Sequence, residues 1–102
     1  MTNELYQRID EVLHYVWDPV GIKGYPDARD EYYAYVPKVQ EAILRGDSEQ
    51  DITELLIGIA VESIGLNSSD WLTTRSKDAA YNIFSWVDYL KEKQDYLNDS
   101  PK

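Results

Sequence analysis

Carboxylates and phenols are the side chains through which this chain of 102 residues could act. It carries 19 acidic residues against 10 basic ones, nine tyrosines, three tryptophans, a single histidine and no cysteine. A net charge of −9 leaves no basic footprint for gripping phosphate backbones, so no direct nucleic-acid binding is expected; it suits a cationic partner instead. Without cysteine there are no disulfides, thiolate metal sites or thiol nucleophiles. His14 has no second histidine to pair with and falls off the apolar side of its segment, so an ordinary surface side chain is expected. No GxSxG, Walker A or Rossmann glycine pattern occurs, the carboxylates lack EF-hand spacing, and one histidine cannot make HExxH. No catalytic, cofactor-binding or metal-binding residue is assigned, and the chain is expected not to be an enzyme.

The distribution of charge says more than its total. Between Gly46 and Thr74 there is no lysine or arginine, while Asp47, Glu49, Asp51, Glu54, Glu62 and Asp70 fall in that window. Part of this is complementarity to a helix dipole. The rest, with Asp51, Glu54 and Glu62 on one narrow polar stripe, predicts an anionic docking face that acts within a Debye length of about 8–10 Å. Gly58 interrupts that stripe and predicts a close backbone approach there, by a neighbouring helix or a partner. A second acidic group, Asp27, Asp30 and Glu31, is interleaved with Tyr33 and Tyr35. A core of this size absorbs Tyr6, Tyr32 and the tryptophans but not every phenol, because each buried hydroxyl needs a partner. Tyr33 and Tyr35 are therefore expected outside, as rigid recognition area. Tyr89 and Tyr96, seven residues apart, form a further outward stripe suited to self-association, giving a monomer or weak homodimer.

Four helices must position these groups. Leu5, Ile9, Val12, Leu13 and Val16 recur at helical spacing over residues 3–17, and Asp18-Pro19 ends that helix. Residues 19–26, with two glycines and two prolines, form a loop. The second helix is expected over 28–45, with Asp27 accepting from the Asp30 amide and Pro37 kinking it or dividing it in two. Ser48 to Asp51 resembles a capping box and Gly65 a left-handed stop, which bounds the third helix at 49–64. Its apolar residues cover about two thirds of the circumference, so it is central. Residues 67–74 form a polar connection with room for one short turn around Asp70-Trp71-Leu72, the fourth helix covers 76–97, and the tail from residue 98 frays. The predicted fold is all-α: a single domain forming an irregular four-helix bundle with no strand pattern and no repeat. No apolar run approaches the ~18 residues of a membrane span and the first residues are no signal peptide, so a cytoplasmic setting is expected.

Trp17-Asp18-Pro19-Val20-Gly21-Ile22, Ala28-Arg29-Asp30-Glu31-Tyr32, Tyr35-Val36-Pro37 and Ile64-Gly65-Leu66 follow one another in order. Over residues 12–66 they resemble a widespread group of small bacterial helical proteins marked by a Trp-Asp-Pro-hydrophobic-Gly turn, an Asp-Glu-Tyr segment and a hydrophobic-Gly-Leu close. The resemblance implies a helical fold and a bacterial cytoplasmic setting, and implies nothing enzymatic. Proteins of this look also occur as immunity proteins beside polymorphic or contact-dependent growth-inhibition toxins. Asp30-Glu31-Tyr32-Tyr33 with Pro37 is also similar in surface chemistry to the acidic, four-helical immunity proteins of nuclease colicins, with a different spacing to the proline and an earlier place in the chain. The expectation is an antitoxin-like inhibitor of a basic nuclease or tRNase toxin. Its contacts would be Asp27, Asp30, Glu31, Asp51, Glu54 and Glu62 in place of phosphates, and Tyr33 and Tyr35 as anchors. The alternative is an acidic interaction module unrelated to toxins.

Overall fold

The computed structural model describes residues 2–22 and 24–98, with side chains placed at 4–22, 24, 25 and 27–93. Four helices are present and no strand occurs among the described residues: α1 Thr2–Val12, α2 Val36–Arg45, α3 Glu49–Gly58 and α4 Asp70–Asn98. α1 and α3 each run on into a wider π-helical turn, Leu13–Trp17 and Ile59–Ile64. The predicted all-α bundle is what forms.

α1 and α4 lie antiparallel along the long dimension of a flat body measuring 53 × 29 × 18 Å. Glu4 approaches Lys93 at 3.7 Å, the Arg8 guanidinium lies over the Trp86 ring, and Trp17 Nε1 donates to Ser76 Oγ at 3.1 Å. α3 packs mainly on α4, and α2 on α1. Ile9, Leu13, Trp17, Val39, Ile52, Leu56, Ala80 and Ile83 fill the shared core. No described helix is long and apolar enough to cross a membrane.

Where the chain departs from expectation, a local cause is visible. The wide turn closing α1 holds an extra residue, so each residue advances by a smaller angle. That swings Trp17 to full burial and draws His14 inward with it. His14 is therefore not a surface side chain: it is only 3% exposed, and its Nδ1 has no hydrogen-bond partner. Pro37 neither kinks nor divides a long helix. It occupies the first turn of α2, where its missing N–H costs no hydrogen bond. Residues 28–35, expected as the start of that helix, instead form turns: two short 3-10 turns, Pro26–Ala28 and Tyr33–Tyr35, are joined by hydrogen-bonded turns. No hydrogen bond from the Asp30 amide to Asp27 exists among the described residues. α4 begins six residues ahead of the expected start, because Ser69 caps it: its Oγ accepts from the Leu72 amide at 3.1 Å. Leu72, buried, fixes that extra turn to the core.

α3 behaves as its sequence implies. Ser48 Oγ accepts from the Asp51 amide and Asp51 Oδ2 from the Ser48 amide, a reciprocal capping box. Gly65 closes the segment at φ 90°, with the Leu66 amide folded back onto the Ala60 carbonyl. The close approach of a neighbouring helix expected at Gly58 is absent: a Cβ there would meet no heavy atom of the described chain within 4 Å. Leu97, Tyr96 and the tail beyond Asn98 lie outside the described side chains or residues, and with them the expected fraying of the tail and half of the Tyr89–Tyr96 stripe.

Candidate partner-binding surface

The acidic, tyrosine-bearing segment 27–35 is held by one polar knot behind it. Asp18 closes the wide turn of α1 through its amide, which donates to the Leu13 carbonyl at 3.0 Å, and then turns left-handed at φ 33°. Its short carboxylate makes that conformation accessible. Asp18 Oδ1 accepts from the Gly21 amide at 3.1 Å, the Ile22 amide at 2.8 Å and the Tyr32 hydroxyl at 2.8 Å. The same hydroxyl accepts from the Val20 amide. Burial first, and then the hydrogen bond to Asp18, push the Tyr32 phenol well above its ordinary range, against the opposing effect of the Val20 amide. Gly21 at φ 80° completes the turn, and the Trp17 ring packs on Tyr32 at 5.6 Å. The Trp-Asp-Pro-Val-Gly run thus builds a buried scaffold and offers nothing to solvent except Val20 and Gly21.

From this anchor the neighbouring side chains face the other way. Tyr33 is 50% exposed, and its ring meets Tyr6 edge-on at 5.5 Å. Polar contact with Tyr33, followed by burial, raises the Tyr6 phenol from its ordinary value. Asp27, Asp30 and Glu31 are exposed, and Tyr35 is half-buried. Arg29, in the middle of the segment, turns away from these acids. It makes a two-pronged contact with Asp10 of α1, at 3.2 and 3.1 Å, and stacks over Tyr15. The Asp10 hydrogen bond raises the guanidinium further above its ordinary value.

The second acidic group belongs to α3 and its wide turn. Asp51, Glu54 and Glu62 are exposed. Asp51 is engaged in the cap and Glu54 accepts from Gln50. No described contact joins this group to the 27–35 group, so the structure presents two acidic patches on successive segments. At the edge of the α3 patch, Asp47 is paired with Arg45 at 2.7 Å, which holds its carboxyl below the usual range.

None of Asp27, Asp30, Glu31, Asp51, Glu54 and Glu62 forms an ion pair with a described lysine or arginine. The arginines are engaged elsewhere: Arg8 with Glu4 and Glu11, Arg29 with Asp10, Arg45 with Asp47, and Arg75 with the Val16 carbonyl. Sequence reasoning missed Tyr6, Tyr15 and the Arg29–Asp10 pair as the frame of this surface. Tyr6 and Asp10 are four apart on one helical face, which was the available signal. Tyr89 of the self-association stripe is exposed and packs edge-on against Trp86 at 5.7 Å. Among the described residues, no group of three or more histidine or acidic side chains is placed to hold a metal. Comparison of the chain with protein-family models, with curated proteins and with solved structures finds no match.

Proposed function

We propose that the protein is an immunity protein: a cytoplasmic inhibitor that binds a basic nuclease or tRNase toxin and blocks its cationic substrate-binding surface. The observation that supports this reading is the set of six exposed carboxylates that form no ion pair among the described residues, in a molecule whose arginines are committed to other groups. Carboxylates arranged in this way substitute for phosphates, speed encounter and reject wrong partners. Tyr33 supplies rigid, half-exposed contact area at the centre of the 27–35 patch, with Tyr35 beside it. Close charge pairs at such interfaces couple by about 1.5–7 kcal/mol, and tyrosine hot spots are worth about 2 kcal/mol or more. The resemblance of segments 12–66 to proteins found beside growth-inhibition toxins points the same way.

Native capture from cells carrying the gene neighbourhood tests it. A stoichiometric basic nuclease retained in high salt is the expected result, and recovery of housekeeping proteins alone argues against it. Charge reversal at Asp30, Glu31, Asp51 and Glu54 should slow association with that nuclease and flatten its salt dependence. Unchanged affinity would move the docking face elsewhere. A second reading, an acidic interaction module pairing through α4, is favoured by the exposed Tyr89 ring beside Trp86 and is tested by sedimentation of the isolated chain.

A further inference from the structure

Three arginines in this molecule are each held twice, once by an oxygen acceptor and once by an aromatic face. Arg8 donates to Glu11 at 2.6 Å and lies 4.6 Å from the centre of the Trp86 ring. Arg29 donates to both oxygens of Asp10 and lies 5.5 Å from the Tyr15 ring. Arg75 donates to the Val16 carbonyl at 3.0 Å and lies 4.9 Å from the Trp71 ring. No lysine sits over a ring among the described residues, and Lys93 makes only a 3.7 Å approach to Glu4. The physical reason is the shape of the cation. A guanidinium is flat, so it stacks on a ring while donating hydrogen bonds in its own plane. An ammonium is a compact, strongly hydrated point charge that does not do both equally well.

The 27–35 segment presents the same pair of features with no arginine in them. The Tyr33 ring is half exposed, and its one aromatic partner among the described residues is Tyr6, in a T-shaped contact. Asp30 and Glu31, three and two residues before Tyr33, are exposed and form no ion pair among the described residues. We infer that this surface recognises an arginine-presenting segment of a protein partner and discriminates against lysine at the same position. The inference rests on the proposal of a cationic protein partner and specifies the chemistry of its side chains. The guanidinium would stack on Tyr33 and donate in plane to Asp30 or Glu31, repeating the arrangement Arg29 makes with Tyr15 and Asp10.

Octa-arginine and octa-lysine amides carry equal charge and serve as probes, titrated calorimetrically into the full chain at fixed ionic strength. The arginine peptide should bind about tenfold more tightly, the magnitude of one partly desolvated cation–π contact. Tyr33→Leu should bring the ratio close to one while leaving lysine-peptide affinity unchanged. Tyr81→Leu, at an exposed ring on α4, should leave the ratio intact. Asp30→Asn with Glu31→Gln should weaken both peptides. Circular dichroism verifies that each variant is folded. A ratio that survives Tyr33→Leu, or falls equally with Tyr81→Leu, overturns the inference. Equal binding of both peptides by the unaltered chain overturns the arginine preference and leaves the cationic-partner proposal standing. Binding of neither overturns both.

Discussion

Tyr32 and Tyr33 are adjacent, chemically identical and oppositely employed. Tyr32 is 1% exposed, its hydroxyl both donates to Asp18 and accepts from Val20, and its ring lies against Trp17. Tyr33 is half exposed and, among the described residues, has a single aromatic neighbour from another segment. The region behind Tyr32 satisfies its own polar groups, whereas the region in front of Tyr33 leaves carboxylates with no ion pair among the described residues. The difference separates what holds the fold from what is offered outward. It also shows that one bend of backbone suffices to divide the two tasks.

The largest expected effect lies on the buried side. Trp17→Ala removes the ring that Tyr32 packs on and strands Ser76, and should cost about 3–5 kcal/mol in a urea titration. Tyr32→Phe keeps the ring but leaves the Asp18 carboxylate short of a donor. It should cost about 1–3 kcal/mol, while Tyr33→Phe stays within about 0.5 kcal/mol. Similar losses at both positions would abolish the contrast between them.

Alkaline titration sharpens the same contrast. The folded Tyr32 phenol is raised above its unfolded value, so its contribution to stability is complete below the ordinary tyrosine range near 10 and is lost as pH rises beyond it. Stability should therefore fall above pH ~10, and Tyr32→Phe should remove part of that slope. Ultraviolet difference spectra should show one phenol ionising only with unfolding.

Smaller effects distinguish constrained from free backbone. Gly65 sits at φ 90°, so Gly65→Ala should cost about 1 kcal/mol. Gly58 has ordinary helical geometry with open space beside it, so Gly58→Ala should stabilise by about 0.5–1 kcal/mol in the same assay.

What the sequence made legible was local. The Ser48–Asp51 cap and the Gly65 stop depend on residues a few positions apart, and both formed as expected. The acidic and aromatic residues of segment 27–35 were likewise visible from composition, and Asp27, Asp30, Glu31 and Tyr33 are exposed. Hidden features depended on a change of helical pitch or on distant partners. A uniform angular step placed His14 outside, and the wide turn brought it in. Pro37 suits a helix start as well as a kink, and only the 3-10 turns before it decide between them. Arg29 finds Asp10 across 19 residues, and nothing near either residue announces the pairing. The Ser69 cap was local and readable, but it lies inside a polar stretch that reads as a connection until Leu72 is seen buried against the core.

The pairing of Trp17 with Ser76 and of the Val16 carbonyl with Arg75 spans 59 residues in each case. The wide turn beneath the tyrosine-bearing segment closes through bonds made within residues 13–32, but the partners that tie Trp17 and Val16 to the rest of the body come from the last helix. A polypeptide that has not yet reached residue 76 can hold the turn and lacks the contacts that fix it in place.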